Sequence, residues 1–487
     1  MPRFDTGKDN VINKVDFQKE QDLLHADILK VQRSCREAGV PLVILVSGVE
    51  AAGKSAVVNR LSKWLDMRNV RTISFWHETE DERSRPHDWR FWRELPGKGE
   101  IAILFGSWYT RPIIHAVTGK QNKKSAKQLK QDCDHIIRFE KLLADDGVVF
   151  VKLWFHISSK EQTARIKAKK KAGHRITPYE KNLSRFYDDF AEISHKVMDL
   201  TDKPHAPWHV VDATDRRYRD LTTGKLILKQ MQDTLTSEHP FEETTVFSYA
   251  EPQLYHVNLD QALTEKQYDK QMKKFQARLA ELHWRASDQK RSTVLVFEGW
   301  DAAGKGGAIR RLTGAMDARL FRVIPIAAPT DEEKAHHYLW RFWRQLPVDG
   351  QVTIYDRSWY GRVLVERVEG FTPETNWQRA YDEINDFEEQ LVNHGVIVSK
   401  FWIHIDPDEQ LRRFEEREKI EHKKHKLTEE DWRNREKWAT YEQAVDDMLV
   451  RTNKKHAPWF AIPGNDKFFA RIEVLKAVCK QMEKELR

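Results

Sequence analysis

The sequence predicts an α/β protein made of two tandem copies of one domain, each a parallel sheet flanked by helices and fitted with a phosphate-gripping loop. Three observations predict it. Gly48-Val49-Glu50-Ala51-Ala52-Gly53-Lys54-Ser55 recurs as Gly299-Trp300-Asp301-Ala302-Ala303-Gly304-Lys305-Gly306, an offset of 251 positions (299 minus 48). The same offset joins Trp89-Arg90-Phe91-Trp92-Arg93 to Trp340-Arg341-Phe342-Trp343-Arg344, Ser107-Trp108-Tyr109 to Ser358-Trp359-Tyr360, and His205-Ala206-Pro207-Trp208 to His456-Ala457-Pro458-Trp459. One stretch slips, pairing Trp154-Phe155-His156-Ile157 with Trp402-Ile403-His404-Ile405 at 248 (402 minus 154). Finally, each loop follows a continuous apolar run and precedes a helical pattern, the signature of a strand–loop–helix unit inside a duplicated domain.

The elements follow in order within each copy. An opening charged helix shows an apolar face at Leu24, Ile28 and Val31, and again at Phe275, Leu279 and Leu282. Residues 42–46 and 294–297 are apolar without alternation, as expected of strands buried on both faces of a parallel sheet. Helices start near Lys54 and Lys305. Further strands are expected at 101–104 and 352–355, 148–153 and 396–401, and 208–211 and 459–462. Strands alternating with long helices place helices on both sheet faces. The expected domains are 1–236 and 261–487, joined by a turn-rich linker at 237–260 that contains Pro240 and Pro252; within it, 246–249 is apolar enough to dock on a domain.

Bulk properties agree. A chain of 487 residues exceeds what one core usually organises, and a 40% hydrophobic fraction with 17 tryptophans can fill two. Cys35, Cys133 and Cys479 are scattered and outside metal-ligand spacing, so they read as reduced thiols of a cytoplasmic protein. No apolar run approaches the roughly 18–20 residues that span a bilayer, and residues 1–15 lack the apolar stretch of a secretory signal. A formal charge of +7 favours an anionic partner, with nucleic acid and phosphate polymers equally open on charge alone.

The loop carries the chemistry. Its glycines let several backbone N–H groups converge on one anion, the helix N-terminus adds its positive end, and the lysine reaches phosphoryl oxygens. Gly48, Glu50, Gly53, Lys54 and Ser55 satisfy the full GxxxxGK[ST] pattern. The second copy (Gly299, Ala302, Ala303, Gly304, Lys305, Gly306, Gly307) puts a glycine at 306, where a hydroxyl would meet a metal; Asp301 can supply the missing oxygen. Asp356 ends a central strand, where a phosphate-transferring enzyme holds Mg²⁺, and Arg357 and Arg362 follow to neutralise phosphoryl charge. The plainer alternative is a strand-end aspartate paired with its neighbouring arginine. At the equivalent places the first copy has Phe105 and Gly106, so it carries a loop without the carboxylate.

Two basic stretches complete the set. Arg341 and Arg344, at i and i+3, share a face of a short helix whose buried side is expected to be Leu339, Trp343 and Leu346. They form a rail for a polyanion or simply a solvated face. Arg412, Arg413 and Arg417, continuing to His422-Lys423-Lys424-His425-Lys426, suit a cationic helical lid closing over phosphates, or an exposed helix laced by i,i+4 ion pairs.

The loop of the second copy, Asp356-Arg357-Ser358-Trp359-Tyr360 and His456-Ala457-Pro458-Trp459 together closely resemble the polyphosphate kinase 2 family, once per half, and the tandem arrangement resembles its two-domain polyphosphate:AMP phosphotransferases. The resemblance implies a thymidylate-kinase-like P-loop fold with a helical lid, and Mg²⁺ dependence with Mn²⁺ as the alternative ion. It implies inorganic polyphosphate and AMP or ADP as partners, with no nucleic acid and no membrane; a homo-oligomer is left open. Asp301 and Asp356 would be metal ligands, Lys305, Arg357 and Arg362 would line the transfer point, and the first copy would be degenerate. The stretch from Glu416 to His422 departs from the family's usual lid. Rival readings are a polyphosphate-driven ADP or GDP kinase, an ATP-dependent nucleoside monophosphate kinase, and a non-enzymatic polyanion binder.

Overall fold

The computed structural model describes residues 10–119, 123–176, 184–236, 247–420 and 429–486. The backbone falls into two compact units: Met1–Glu78, Arg90–His239 and Asp331–His337 make one, and Thr79–Trp89, Pro240–Thr330 and Tyr338–Arg487 the other. Among the described residues each unit contains a five-stranded sheet, parallel throughout.

In the first unit the strands are β1 (Leu42–Gly48), β2 (Val70–Ser74), β3 (Ile101–Phe105), β4 (Val149–His156) and β5 (Trp208–Asp212), in spatial order β2-β3-β1-β4-β5. The second repeats this with β6 (Thr293–Gly299), β7 (Phe321–Pro325), β8 (Val352–Asp356), β9 (Ile397–His404) and β10 (Trp459–Pro463), in order β10-β9-β6-β8-β7. The continuous apolar runs earn their central places: Val43, Ile44, Leu45, Val294, Leu295 and Val296 are fully buried. Chain order reverses at β1 and at β6, so the segment leaving each lies at a topological switch point, where doubly wound sheets take ligands beyond the carboxyl ends of their strands.

β2 and β7 were not expected. Each is an edge strand with only its first residue, or none, fully buried. Without a two-sided core they need no apolar run, so their sequences carry no strand signal.

The first unit's opening helix, Lys14–Glu37, buries Leu24 and Ile28 as expected, but its stripe continues through Gln32 and Cys35. The Trp340–Arg344 segment departs further from an amphipathic helix: it is a single turn, Trp340–Trp343, with Trp340 and Phe342 buried alongside Leu339, Trp343 and Leu346. Phe247 of the inter-repeat stretch docks within the second unit, its ring 4.8 Å from Trp377 and 4.1 Å from the Arg451 guanidinium; 237–246 lies outside the described residues. Cys35, Cys133 and Cys479 are free thiols and buried. Among the described residues no helix is long and apolar enough to cross a membrane.

Behind each sheet the two units bury the same ion pair. Lys400 Nζ lies 2.6 Å from Glu388 and also donates to the Tyr360 hydroxyl and the Thr452 carbonyl. Lys152 repeats this with Glu140 at 2.8 Å, Tyr109 and Thr201. All four charged side chains are inaccessible to solvent, and each finds several partners, as buried charge requires.

Candidate functional site

At the end of β6 the chain turns through Gly299 at φ 149°, against β9; a Cβ there would stand 2.6 Å from the Ile403 carbonyl oxygen. Only glycine lets the loop leave the sheet this close to its neighbour. Ala302 (φ 63°) and Gly304 (φ 112°) then curl the backbone into helix Lys305–Thr313. Lys305 Nζ folds back to donate to the carbonyls of Gly299 (2.7 Å) and Trp300 (3.2 Å), using two of its three N–H donors. Gly306 faces open space, and Gly307 sits with the Arg471 guanidinium 3.5 Å from where its Cβ would be.

Strand pairing sets Asp356 beside Phe297, so the ends of β8 and β6 lie together. Asp301 Oδ1 accepts from Arg357 Nη2 at 3.1 Å, and Oδ2 accepts from Asn434 at 2.9 Å. Burial pushes the Asp301 carboxyl up, but Lys305 and Arg357 beside it, with the two hydrogen bonds, outweigh burial and hold it below the usual range. Arg357 also lies 3.6 Å from Glu430. The alternative of a strand-end aspartate bonded to its neighbouring arginine is therefore not the arrangement formed: the side-chain hydrogen bond of Arg357 goes to Asp301, and the Asp356 carboxylate accepts no hydrogen bond among the described residues.

Arg357 holds a left-handed backbone, φ 62°. Its counterpart Gly106 does so at φ 85°, a conformation that costs glycine little and arginine about 1 kcal/mol or more. Arg362 is not drawn to Asp301: it donates to Thr372 at 2.6 Å, pairs with Glu366 at 3.0 Å and lies over the Tyr338 ring at 4.4 Å.

The lid candidates divide. Arg412 is half-exposed and pairs with Glu409 and Glu416, the plain helix-surface arrangement. Arg413 is a correction: it is buried, and it donates to the carbonyls of Ala302 (3.0 Å), Ala303 (2.8 Å), Gly464 (2.6 Å) and Asn465 (2.9 Å). With its two terminal nitrogens spent on backbone carbonyls and its Nε on Glu409, it is a strut beneath the loop rather than a cation for a closing lid. Arg417 lies half-buried on the last turn of helix Pro407–Glu418, without a side-chain hydrogen bond among the described residues. Glu421 and His422 to Lys426 lie outside those residues. Arg341 donates to the Ala327 carbonyl at 3.1 Å, and Arg344 covers the Trp340 ring at 4.3 Å.

The first loop has the same skeleton with different electrostatics. Lys54 donates to the carbonyls of Gly48 (2.8 Å) and Val49 (3.1 Å), but also to Glu50 at 2.8 Å, so its charge is neutralised locally. Arg165 repeats the strut, donating to the carbonyls of Ala51, Ala213 and Thr214. Arg219 stands where the second unit has Ala470, 251 positions on; its guanidinium would lie 1.9 Å from a Cβ on Gly53, whereas the second unit's Arg471 lies against Gly307. Ser55 is exposed, and Phe105 ends β3.

Sequence reasoning missed three contributors. Gln410 donates to the Asp301 carbonyl, and Gln162 does the same to Glu50, a repeat at offset 248 that was there to be read. Asn434 carries no local signal. Glu298, the last residue before Gly299, is buried and accepts from Ser358 Oγ at 2.7 Å. Burial raises its carboxyl above the ordinary range, against the pull of Ser358, Lys305 and Arg357.

The family described as Polyphosphate kinase 2 (PPK2) matches residues 11–239 and 262–487. A polyphosphate:AMP phosphotransferase of Pseudomonas aeruginosa is 45% identical over 97% of both chains, and one of Acinetobacter johnsonii is 36% identical over 96% of both. The crystal structure of a polyphosphate kinase 2 from Pseudomonas aeruginosa superposes with a TM-score of 0.87 at 43% identity, covering 97% of each chain.

Proposed function

The chain belongs to the polyphosphate kinase 2 family, and from that premise we infer that it transfers the terminal phosphoryl group of inorganic polyphosphate to AMP, forming ADP. The observation that carries this reading is the end-to-end match, through both repeats, to relatives bearing that activity in their names. Its setting would be cytoplasmic, where the buried thiols stay reduced.

Catalysis is assigned to the second repeat, within 261–487; 1–236 carries the degenerate site and 237–260 the linker. Phosphoryl transfer asks the protein for alignment and charge neutralisation more than covalent work. Lys305 keeps one donor for a phosphoryl oxygen while two carbonyls orient it. The N–H groups of 302 and of 304–306, at the N-terminus of the following helix, would cradle the anion, while those of Ala303 and Gly307 are held by the carbonyls of Trp300 and Gly304. Arg357 is half-exposed and only singly bonded to Asp301, so it can turn to the transferred group. Arg362, already committed to Glu366 and Thr372, would act from the rim.

The donor set fits Mg²⁺, or Mn²⁺ in its place. Asp301 and Asp356 offer hard carboxylate oxygens, and among the described residues no three acidic, histidine or cysteine side chains converge to cage an ion. An ion held by two carboxylates and completed by phosphate and water is the usual magnesium arrangement. Bound there, it would neutralise charge on the phosphate oxygens.

A donor-by-acceptor matrix tests the reading: polyphosphate or ATP against AMP, GMP, ADP and GDP. Polyphosphate with AMP is expected to give the highest kcat/KM. Turnover with ATP but none with polyphosphate would overturn it.

A further inference from the structure

We propose that Glu298 is a positioning residue of the transfer site: its hydrogen bond with Ser358 braces the Asp301 segment against the Asp356 segment, so that both carboxylates can serve one divalent ion. This rests on the metal-assisted reading above.

The geometry places the brace between the two segments. Glu298 lies three residues before Asp301, and Ser358 two residues after Asp356. Their side chains meet across neighbouring strands β6 and β8 at 2.7 Å, both nearly shielded from solvent. Ser358 Oγ in turn accepts from the Tyr360 N–H, which fixes the direction in which its own proton points. Glu298 is not a third ligand, since no triad of acidic groups converges among the described residues.

The duplication supplies an internal control. Supports of the loop skeleton are kept in both repeats, as Gln410 with Gln162 and Arg413 with Arg165. Ser358 is also kept, as Ser107, whose hydroxyl accepts from Tyr109 N–H in the same way. Glu298 is not kept. Ser47 stands in its place, in the one repeat where Phe105 replaces Asp356 and Gly106 replaces Arg357. A side chain lost together with the metal carboxylate, from a skeleton that otherwise persists, serves the site and not the sheet.

Outer partners of metal ligands commonly set affinity by fixing ligand orientation. The test measures two quantities for wild type, E298A, E298Q and S358A: the Mg²⁺ dependence of ADP formation, and the rise in Tm on adding Mg²⁺. E298A and S358A are expected to need about tenfold more Mg²⁺ for half-maximal rate and to gain less in Tm. KM for AMP should stay within about twofold, because the acceptor is not touched. E298Q keeps an oxygen for the Ser358 proton and is expected to recover most of the Mg²⁺ response. Wild-type Mg²⁺ responses in both E298A and S358A overturn the brace, as does an E298Q as impaired as E298A. Wild-type protein active but indifferent to Mg²⁺ in both measurements removes the metal reading, and the brace with it. Tm without Mg²⁺ separates a folding defect from a site defect, and S358A, which deletes one oxygen, is the milder probe.

Discussion

Arg357 reaches back across the strand ends to Asp301, Nη2 to Oδ1 at 3.1 Å, from a left-handed backbone at φ 62°. The contact ties the residue after β8 to the loop after β6 and puts an arginine where the first repeat keeps Gly106. Backbone strain at a functional position persists when the side chain is needed there.

That strain is measurable. Arg357→Gly should be more stable than Arg357→Ala by about 1 kcal/mol, because both lose the guanidinium but only glycine accepts the backbone cheaply. Both should lose about 10²-fold or more in kcat. Equal urea unfolding free energies for the two variants would show the left-handed conformation to carry no cost.

Breaking the buried pair behind the sheet tests what holds the second unit together. Lys400→Met leaves Glu388 buried without its cation and should cost about 3–5 kcal/mol. The double variant Lys400→Met, Glu388→Gln should recover much of that, because no buried charge is left unpaired and the amide oxygen still accepts from Trp359 and Tyr360. Denaturant unfolding of the single and double variants decides it; an additive loss would contradict the pairing argument.

His404 makes the loop sensitive to acid. Its Nδ1 accepts from the Trp300 indole N–H at 3.0 Å, which requires that nitrogen to be unprotonated. Burial pushes the imidazole down from 6.5 to about 4, against the pull of Asp406. In this window the unfolded chain binds a proton that the folded one refuses, so stability is full above pH 6.5 and falls as pH drops toward 4. The ceiling on this loss is about 3 kcal/mol. His156, likewise pushed down to about 4, adds a parallel slope from the first unit. His404→Gln keeps an acceptor for Trp300 without titrating, so its unfolding free energy should vary less between pH 6.5 and 4 than that of wild type. Parallel profiles would rule out His404 as the source.

Much of this was legible in the sequence, for physical reasons. Central strands such as 42–46 and 294–297 are buried on both sides and must be apolar throughout, and the loops must be glycine-rich to cradle an anion. Asymmetry between the repeats was visible at Phe105 and Gly106 because aligned copies differ there. The edge strands β2 and β7 escaped because one exposed face removes the apolar demand. Arg413 was misread because a charge run shows where cations are dense but not where each points; its partners Ala302 and Ala303 lie more than a hundred residues away. Glu298 escaped because a single acidic residue before a glycine looks like any strand end, although aligning the repeats sets Ser47 in its place.

We assign transfer to the second repeat alone, with Lys305 at the phosphate and Lys54 neutralised by Glu50. Initial rates of ADP formation from polyphosphate and AMP, compared between Lys305→Ala and Lys54→Ala, test it most directly. Lys305→Ala should lose about 10³-fold or more in kcat and Lys54→Ala less than about tenfold. Comparable losses in the two variants would mean that both loops take part in transfer.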